Sequence, residues 1–406
     1  SAGPAYDGRI KPEISAYGGG GTSDAAALVS GAALILQDAF KDENLVIPSG
    51  DLVKAMLIAG SEDILNPGPD FISGYGQLNL RRSTEIVSNN WWAQGLIPDV
   101  ETSQVFSMMV LDGISKIQIA LVWNDPPANN GDNLALINDL DLKVNKDANQ
   151  WNPWVLDSSP NATALSANAT TGQDHLNNVE FITIQNPDAG EFTLTVSATE
   201  LSSAQSFSIA YFMEIADNFQ WLYPTRLDPQ ESGVAINLYF ENSYSETGTI
   251  SYDDLSGNWI EIGSVEQGQR QIIFNAPSGK NEVVLRAVFG ENEIKSDTFS
   301  VHTKSDVIVE LLCDSELGLS WDPVEGAEGY EILAYLDGEL SALPVQADTF
   351  AMLDRELHPS LYYTVRPKFE FSDGRPDETV RVDRQAVGCY LNNFLVSTNT
   401  DGSITL

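Results

Sequence analysis

Residues 18–31 read Gly-Gly-Gly-Gly-Thr-Ser-Asp-Ala-Ala-Ala-Leu-Val-Ser-Gly, and this stretch decides how the first part of the chain is read. Glycine permits the backbone angles of a tight turn. The turn delivers Ser23 to the start of a helix, where a serine is a good cap and Asp24 places negative charge at the favoured end of the helix dipole. From Asp24 to Leu36 nearly every position is apolar. A helix with no wet face is expected inside a domain. Ser23 therefore has two readings, a helix cap or a nucleophile displayed on a helix end. The stretch alone does not choose between them.

At 406 residues the chain is long enough for two to four domains, and its apolar content supports ordinary cores. A net charge of -37 excludes nucleic acid as a natural partner, because no basic patch is available to displace counterions. The acidic residues are dispersed, as on a solvated surface or one adapted to salt or calcium. No apolar run is long enough to span a bilayer. The two cysteines, Cys313 and Cys389, have no CxxC spacing, and His175, His302 and His358 lie far apart in sequence, so neither set forms a metal-ligand motif. Ser1-Ala2-Gly3-Pro4 lacks the charged and apolar regions of a signal peptide, so the chain is expected to begin inside a larger precursor.

Around the glycine turn lie three further phrases. Ser1-Ala2-Gly3-Pro4 is followed by Asp7-Gly8-Arg9-Ile10-Lys11-Pro12-Glu13-Ile14. A second helix is expected over Leu52–Ala59, capped by Ser49 or Asp51, and it contains Val53-Lys54-Ala55-Met56-Leu57-Ile58. Gly74-Tyr75-Gly76-Gln77-Leu78-Asn79 then closes the segment. In this order, and with Gly21-Thr22-Ser23, Ala25, Val29 and Gly31, the phrases resemble the subtilisin-like serine peptidases. The resemblance covers about eighty residues. It implies that residues 1–97 are the C-terminal portion of an α/β catalytic domain, with Ser23 as the nucleophile on the turn formed by Gly21 and Thr22. In that family backbone amides at the helix end help hold an oxyanion, and a histidine oriented by an aspartate activates the serine. Gly31 would allow close packing against a neighbouring element.

The departures are as specific. Segments that would carry the aspartate, the histidine and the oxyanion-hole asparagine precede this region in the family, and no histidine here falls in a matching motif. Ala27 stands where the family motif has proline, Asp24 sits beside the nucleophile, and the stretch between Gly18 and Gly21 is short. A serine without a base is a poor nucleophile, so this chain alone is expected to show little peptidase activity.

Beyond residue 97 the apolar period becomes two: Ile117, Ile119, Leu121 and Trp123, then Phe192, Leu194 and Val196, then Phe207, Ile209 and Tyr211. Short alternating runs of this kind predict an antiparallel β-sandwich over residues 98–216. Ala120 to Pro127, Leu136 to Leu142 and Asn177 to Glu180 resemble the jelly-roll domain that follows the catalytic domain in one branch of subtilases. Asp139 and Asp141, two apart on a strand, share a face. They are either solvated acids or calcium ligands with Asp125, Asp132 or Glu180 as further donors. Trp151 and Trp154 are read as edge packing or as an aromatic surface for a partner.

Two more β modules are expected. Residues 217–303 read as an immunoglobulin-like sandwich, with a hairpin turn at Asp254–Asn258 and a strand at Val283–Phe289 buried on both sides. Residues 304–388 resemble fibronectin type III, with Trp321 in the core and Tyr363 placed for a tyrosine corner. Cys313 and Cys389 bracket this module and are candidates for a disulfide. Residues 389–406 read as the start of another unit or a linker.

Two functions follow. One is the C-terminal part of a secreted subtilisin-like endopeptidase acting on protein or peptide substrates, with its remaining catalytic residues in an upstream segment. The other is a catalytically degenerate relative serving as a cell-surface binding or assembly protein.

Overall fold

The computed structural model describes residues 2–278, 282–336, 338–376 and 378–385, together with two short paired strands at 397–398 and 404–405. It divides into two compact units, residues 1–216 and 217–406.

The first unit begins with irregular chain and three helices: α1 (Thr22–Asn44), α2 (Gly50–Ala59) and α3 (Leu80–Ser88). Residues before α3 pair only through isolated bridges, such as Ile14 with Gly74 and Ser15 with Gln77. No sheet belonging to an α/β domain is present among the described residues here. The strands that follow are β1 (Trp92–Ile97), β2 (Gln104–Val110), β3 (Ile114–Trp123), β4 (Asp139–Lys146), β5 (Asn149–Trp151) and β6 (Trp154–Val155). After the short helix α4 (Ala162–Leu165) come β7 (Thr170–Thr171), β8 (Val179–Gln185), β9 (Gly190–Glu200) and β10 (Gln205–Ile215). Two four-stranded antiparallel sheets result, in the orders β1-β10-β3-β8 and β2-β9-β4-β5. Thus β1, which the sequence reading assigns to the first segment, is an edge strand of the sandwich.

Period-two side chains explain the sandwich core. Ile117, Ile119, Leu121 and Trp123 meet Leu140, Leu142, Val144, Phe192, Leu194 and Val196 between the sheets. The opposite face of β3 and β10 is also covered: Ala120, Val122, Ala210 and Phe212 share a second core with the helices. Helix α2 lies on this face and buries eight of its residues. Its Asp51 accepts the Ser208 hydroxyl at 2.6 Å, which satisfies both groups at the buried contact. Ser49 is the N-cap of α2 and makes no side-chain capping bond. The sequence reading missed α3, which Asn79 caps by accepting the Arg82 amide at 3.1 Å.

Helix α1 departs from expectation. Only Ala32, Leu36 and Phe40 are buried, one stripe at intervals of four. Leu34 is 67% exposed, Ile35 55% and Leu28 49%. A Cβ added to Gly31 would meet no atom within 4 Å, so the close packing expected there is absent among the described residues. The helix is not buried on all sides because the helical layer touches it along one edge.

The second unit holds two further sandwiches. Its first part comprises β11 (Phe219–Tyr223), β12 (Gln230–Glu231), β13 (Ala235–Asn242), β14 (Gly248–Asp253), β15 (Ile260–Val265), β16 (Gln271–Asn275), β17 (Glu282–Phe289), β18 (Asn292–Lys295) and β19 (Phe299–His302). One sheet runs β11-β13-β16 and the other β12-β19-β17-β14-β15, with β18 on β17. Strand β17 alternates buried and half-buried positions rather than being buried throughout, because Val284, Arg286 and Val288 point away from the core. The second part comprises β20 (Val307–Leu312), β21 (Glu316–Trp321), β22 (Gly329–Leu336), β23 (Glu339–Ala342), β24 (Phe350–Asp354), β25 (Tyr362–Lys368) and β26 (Val380–Arg381), in sheets β20-β21-β24 and β23-β22-β25-β26. Trp321 is buried against Tyr330, ring centroids 5.7 Å apart. The Tyr363 hydroxyl donates to the His358 carbonyl at 2.7 Å. Cys313 is disulfide-bonded; Cys389 lies outside the described residues, as does most of the 389–406 segment.

Candidate functional site

The turn into α1 is built from glycine. Gly21, the residue preceding the helix, has φ 103°, in the region that favours glycine. Its carbonyl accepts the Ala25 amide at 3.2 Å. Gly21 therefore takes the N-cap position, and no side chain caps the helix. This corrects the reading of Ser23 as a cap. Ser23 sits in the first helical turn, exposed, and its hydroxyl makes no hydrogen bond to a described residue. The carboxylate of Asp24 instead reaches back to Gly20, accepting its amide at 2.5 Å. The first amides of a helix have no intrahelical acceptor, and the dipole there favours negative charge. Exposed hydroxyl and unused amides together can serve acyl transfer if a base is supplied. The Asp24 carboxylate works against an oxyanion at the same end.

Among the described residues no histidine makes a hydrogen bond to Ser23. His175 Nδ1 lies 2.7 Å from Asp139 Oδ2, in the sandwich. His302 uses both ring nitrogens within the second unit.

Open grooves flank α1. One, of about 830 Å³, is lined by Pro4, Pro12, Ile14, Ala25, Val29 and Ile72 among others. The second, of about 770 Å³, runs along Asp24, Leu28, Ala32, Ile35, Leu78 and Leu80. Both are mostly apolar, and both border the helix that carries Ser23.

A separate acidic cluster lies in the sandwich. Asp139, Asp141, Asp174 and Glu180 are all buried. The Asp174 carboxylate is well served: Leu176 N donates to it at 2.9 Å and Asn177 Nδ2 at 2.7 Å. Thr199 Oγ1 donates to Asp141 at 2.7 Å. By contrast Asp139 Oδ1 and Glu180 Oε1 are buried with no partner. Burial, then the neighbouring Asp174, Asp141 and Asp139, push the Glu180 carboxyl well above the usual range. Burial raises Asp139 to about 6, against the pull of His175. Unpartnered oxygens in an acidic pocket are the donor type calcium takes. No three His, Cys, Asp or Glu side chains converge in a ligating group among the described residues, however. Asp125 is committed elsewhere, with its two oxygens accepting Ile137 N and Asn138 N, each at 2.8 Å. Trp151 packs on Phe192, and Trp154 Nε1 donates to Thr183, so both are tied to the sheets.

No family model matches the chain. The curated proteins it is similar to include two from Dictyostelium discoideum. The serine protease/ABC transporter B family protein tagA is 26% identical over 261 residues, covering 51% of this chain and 15% of the relative. The serine protease/ABC transporter B family protein tagD is 25% identical over 317 residues, covering 54% and 17%. The chain thus spans less than a fifth of the length of these relatives. Among solved structures, a two-domain fibronectin type III segment from chicken tenascin matches 41% of this chain and 98% of its own, at 14% identity and a TM-score of 0.23. Fibronectin(III)-like modules of Clostridium thermocellum CbhA match 44% and 98%, at 12% identity and a TM-score of 0.24. No described helix is long and apolar enough to cross a membrane.

Proposed function

We propose that this chain is the C-terminal part of a secreted subtilisin-like serine endopeptidase, with Ser23 the acyl-forming nucleophile. The aspartate, histidine and oxyanion-hole asparagine come from an upstream segment of the same precursor. In this reading α1 to α3 are what the chain holds of the α/β catalytic domain, and the sandwich behind them is the jelly roll of that subtilase branch. The immunoglobulin-like and fibronectin-like modules act as extracellular arms. The observation that carries the proposal is α1 itself: an apolar helix, open on both flanks, with an unpartnered serine hydroxyl at its N-terminal turn. A free-standing helix with this surface is costly in water, since each exposed large apolar side chain forgoes about 1.5–3 kcal/mol of burial. Strands of the upstream segment in the two flanking grooves relieve that cost. The serine-protease names of the Dictyostelium relatives agree with this chemistry. Fluorophosphonate labelling of the full-length precursor, with and without Ser23→Ala, tests the proposal.

A second reading has its own support. Asp24 presents a carboxylate beside Ser23 and Ala27 replaces the motif proline. A precursor with these changes and no hydrolysis of unfolded casein would be a binding or assembly protein on the same scaffold.

Calcium belongs to the first reading. Asp139 and Asp141 are the carboxylates we assign to it, Asp139 Oδ1 being buried without a partner; with no third acidic side chain converging on them among the described residues, backbone carbonyls or water would complete the shell. Asp125 is left out because backbone amides hold both its oxygens. A rise in the unfolding temperature with calcium, abolished by Asp141→Asn, tests the assignment; an unchanged midpoint removes it.

A further inference from the structure

His302, the last residue of β19, is buried and uses both ring nitrogens. Nδ1 lies 2.7 Å from the carbonyl of Thr303, and Nε2 lies 2.7 Å from the backbone nitrogen of Arg375. A carbonyl only accepts and an amide N–H only donates, so this geometry requires the neutral ring with its proton on Nδ1. Arg375 belongs to the 369–376 loop between β25 and β26. The strands around His302 hold the same loop at three more points. Phe371 N and Ser372 Oγ donate to Glu282 Oε1 at 3.0 and 2.7 Å. Ser300 Oγ donates to the Asp373 carbonyl at 2.8 Å. A Cβ on Gly374 would lie 2.8 Å from His302 Nε2, so glycine is what lets the loop come this close.

We propose that His302 is a proton-released catch: it fastens the fibronectin-like module's 369–376 loop to the immunoglobulin-like module near neutral pH and lets go in mild acid. Protonating Nε2 removes the acceptor that the Arg375 amide uses and turns two N–H groups toward each other. It also adds charge beside the Arg375 guanidinium. The other charged groups packed around the ring do not reverse this. Glu231 on β12 is drawn to Arg375, 3.7 Å away, and Glu282 is spent on its two donors. Asp373 meets Lys368 and Arg366. Lys304 and Glu378 stand 4.0 Å apart. Burial first, and then Arg375, hold the imidazole below its ordinary value, against the Thr303 carbonyl. The sign follows from that direction. The fastening is complete above the unfolded histidine value of about 6.5 and is lost as pH falls through the lower folded value. Release also reshapes the cleft of about 230 Å³ that the loop lines with Arg226 and Leu227.

Hydrogen exchange on the full chain tests the catch, at about pH 7.5 and about pH 5 with intrinsic rates corrected. Peptides over 369–376 are expected to open about tenfold more in acid, the scale of one lost buried hydrogen bond. His302→Gln, whose amide keeps a donor and an acceptor but does not titrate, is expected to flatten the response. Protection that does not change with pH in the native chain overturns the proposal. So does an acid response that survives in His302→Gln. Should that variant fail to fold, the imidazole proton resonance of His302 in the native chain must titrate with the loop's loss of protection. A mismatch between the two midpoints overturns it equally.

Discussion

The carboxylate of Asp24 accepts the amide of Gly20 at 2.5 Å, closing the glycine turn over the first turn of α1. The same carboxylate stands one residue from Ser23, so it both shapes the turn and sets the field at the helix end. Asp24→Ala is expected to cost on the order of 1 kcal/mol, from the lost charge-assisted bond and the lost dipole interaction. Thermal unfolding of the first unit measures it. Asp24→Asn, which keeps an acceptor, is expected to recover about half of the loss.

The two faces of α1 should respond in opposite ways. Leu36 is fully buried, and Leu36→Ala is expected to cost about 2–5 kcal/mol. Ile35 is exposed and lines one flanking groove, and Ile35→Lys is expected to change the stability of this chain by less than about 0.5 kcal/mol. In the full-length precursor the proposed docking of upstream strands makes Ile35→Lys destabilising. Denaturant titration of both forms distinguishes the cases, and equal tolerance in both would count against docking on this face.

The acidic cluster gives a pH dependence of known sign. The folded Glu180 carboxyl lies well above its ordinary value and Asp139 is raised to about 6. A raised carboxyl contributes stability that is complete below its unfolded value, near 4, and is lost as pH rises through the folded value. With calcium chelated, the first unit is expected to lose stability from about pH 4 upward. Glu180→Gln is expected to be at least as stable as the native chain at about pH 8, because it removes a buried charge. A lower unfolding temperature for Glu180→Gln under those conditions would show that the ionised carboxylate is held by a partner.

The Tyr363 hydroxyl and the His358 carbonyl, 2.7 Å apart, tie the entry of β25 to the loop before it. Tyr363→Phe is expected to cost about 1 kcal/mol in the unfolding of the second unit, with little change in its fold.

Much of this arrangement was legible in the residues. Period two marked strands of the first two sandwiches, since Ile117 to Trp123 or Ile236 to Phe240 can bury alternate side chains only in extended chain. Trp321 and Tyr363 were placed by the resemblance of their surroundings to fibronectin type III. Other features were not legible. Helix α3 was missed because Leu80 to Ser88 has few apolar residues, and only Asn79, a cap, signalled it. The exposure of α1 could not be read, because an apolar run states what a helix needs to cover it and not whether the cover is present. Glu180 was named as a further calcium ligand beside Asp139 and Asp141, but the burial of its Oε1 without a partner depends on β8 facing the second sheet there, opposite Val179 and Phe181, which no local pattern records.

The measurement that bears most directly on Ser23 is covalent labelling of the full-length precursor with a fluorophosphonate probe, followed by peptide mapping. The account predicts a single modified serine, Ser23, with labelling lost in Ser23→Ala and slowed on protonation of the upstream histidine. An intact, folded precursor that is not labelled, or is labelled equally after Ser23→Ala, would contradict it.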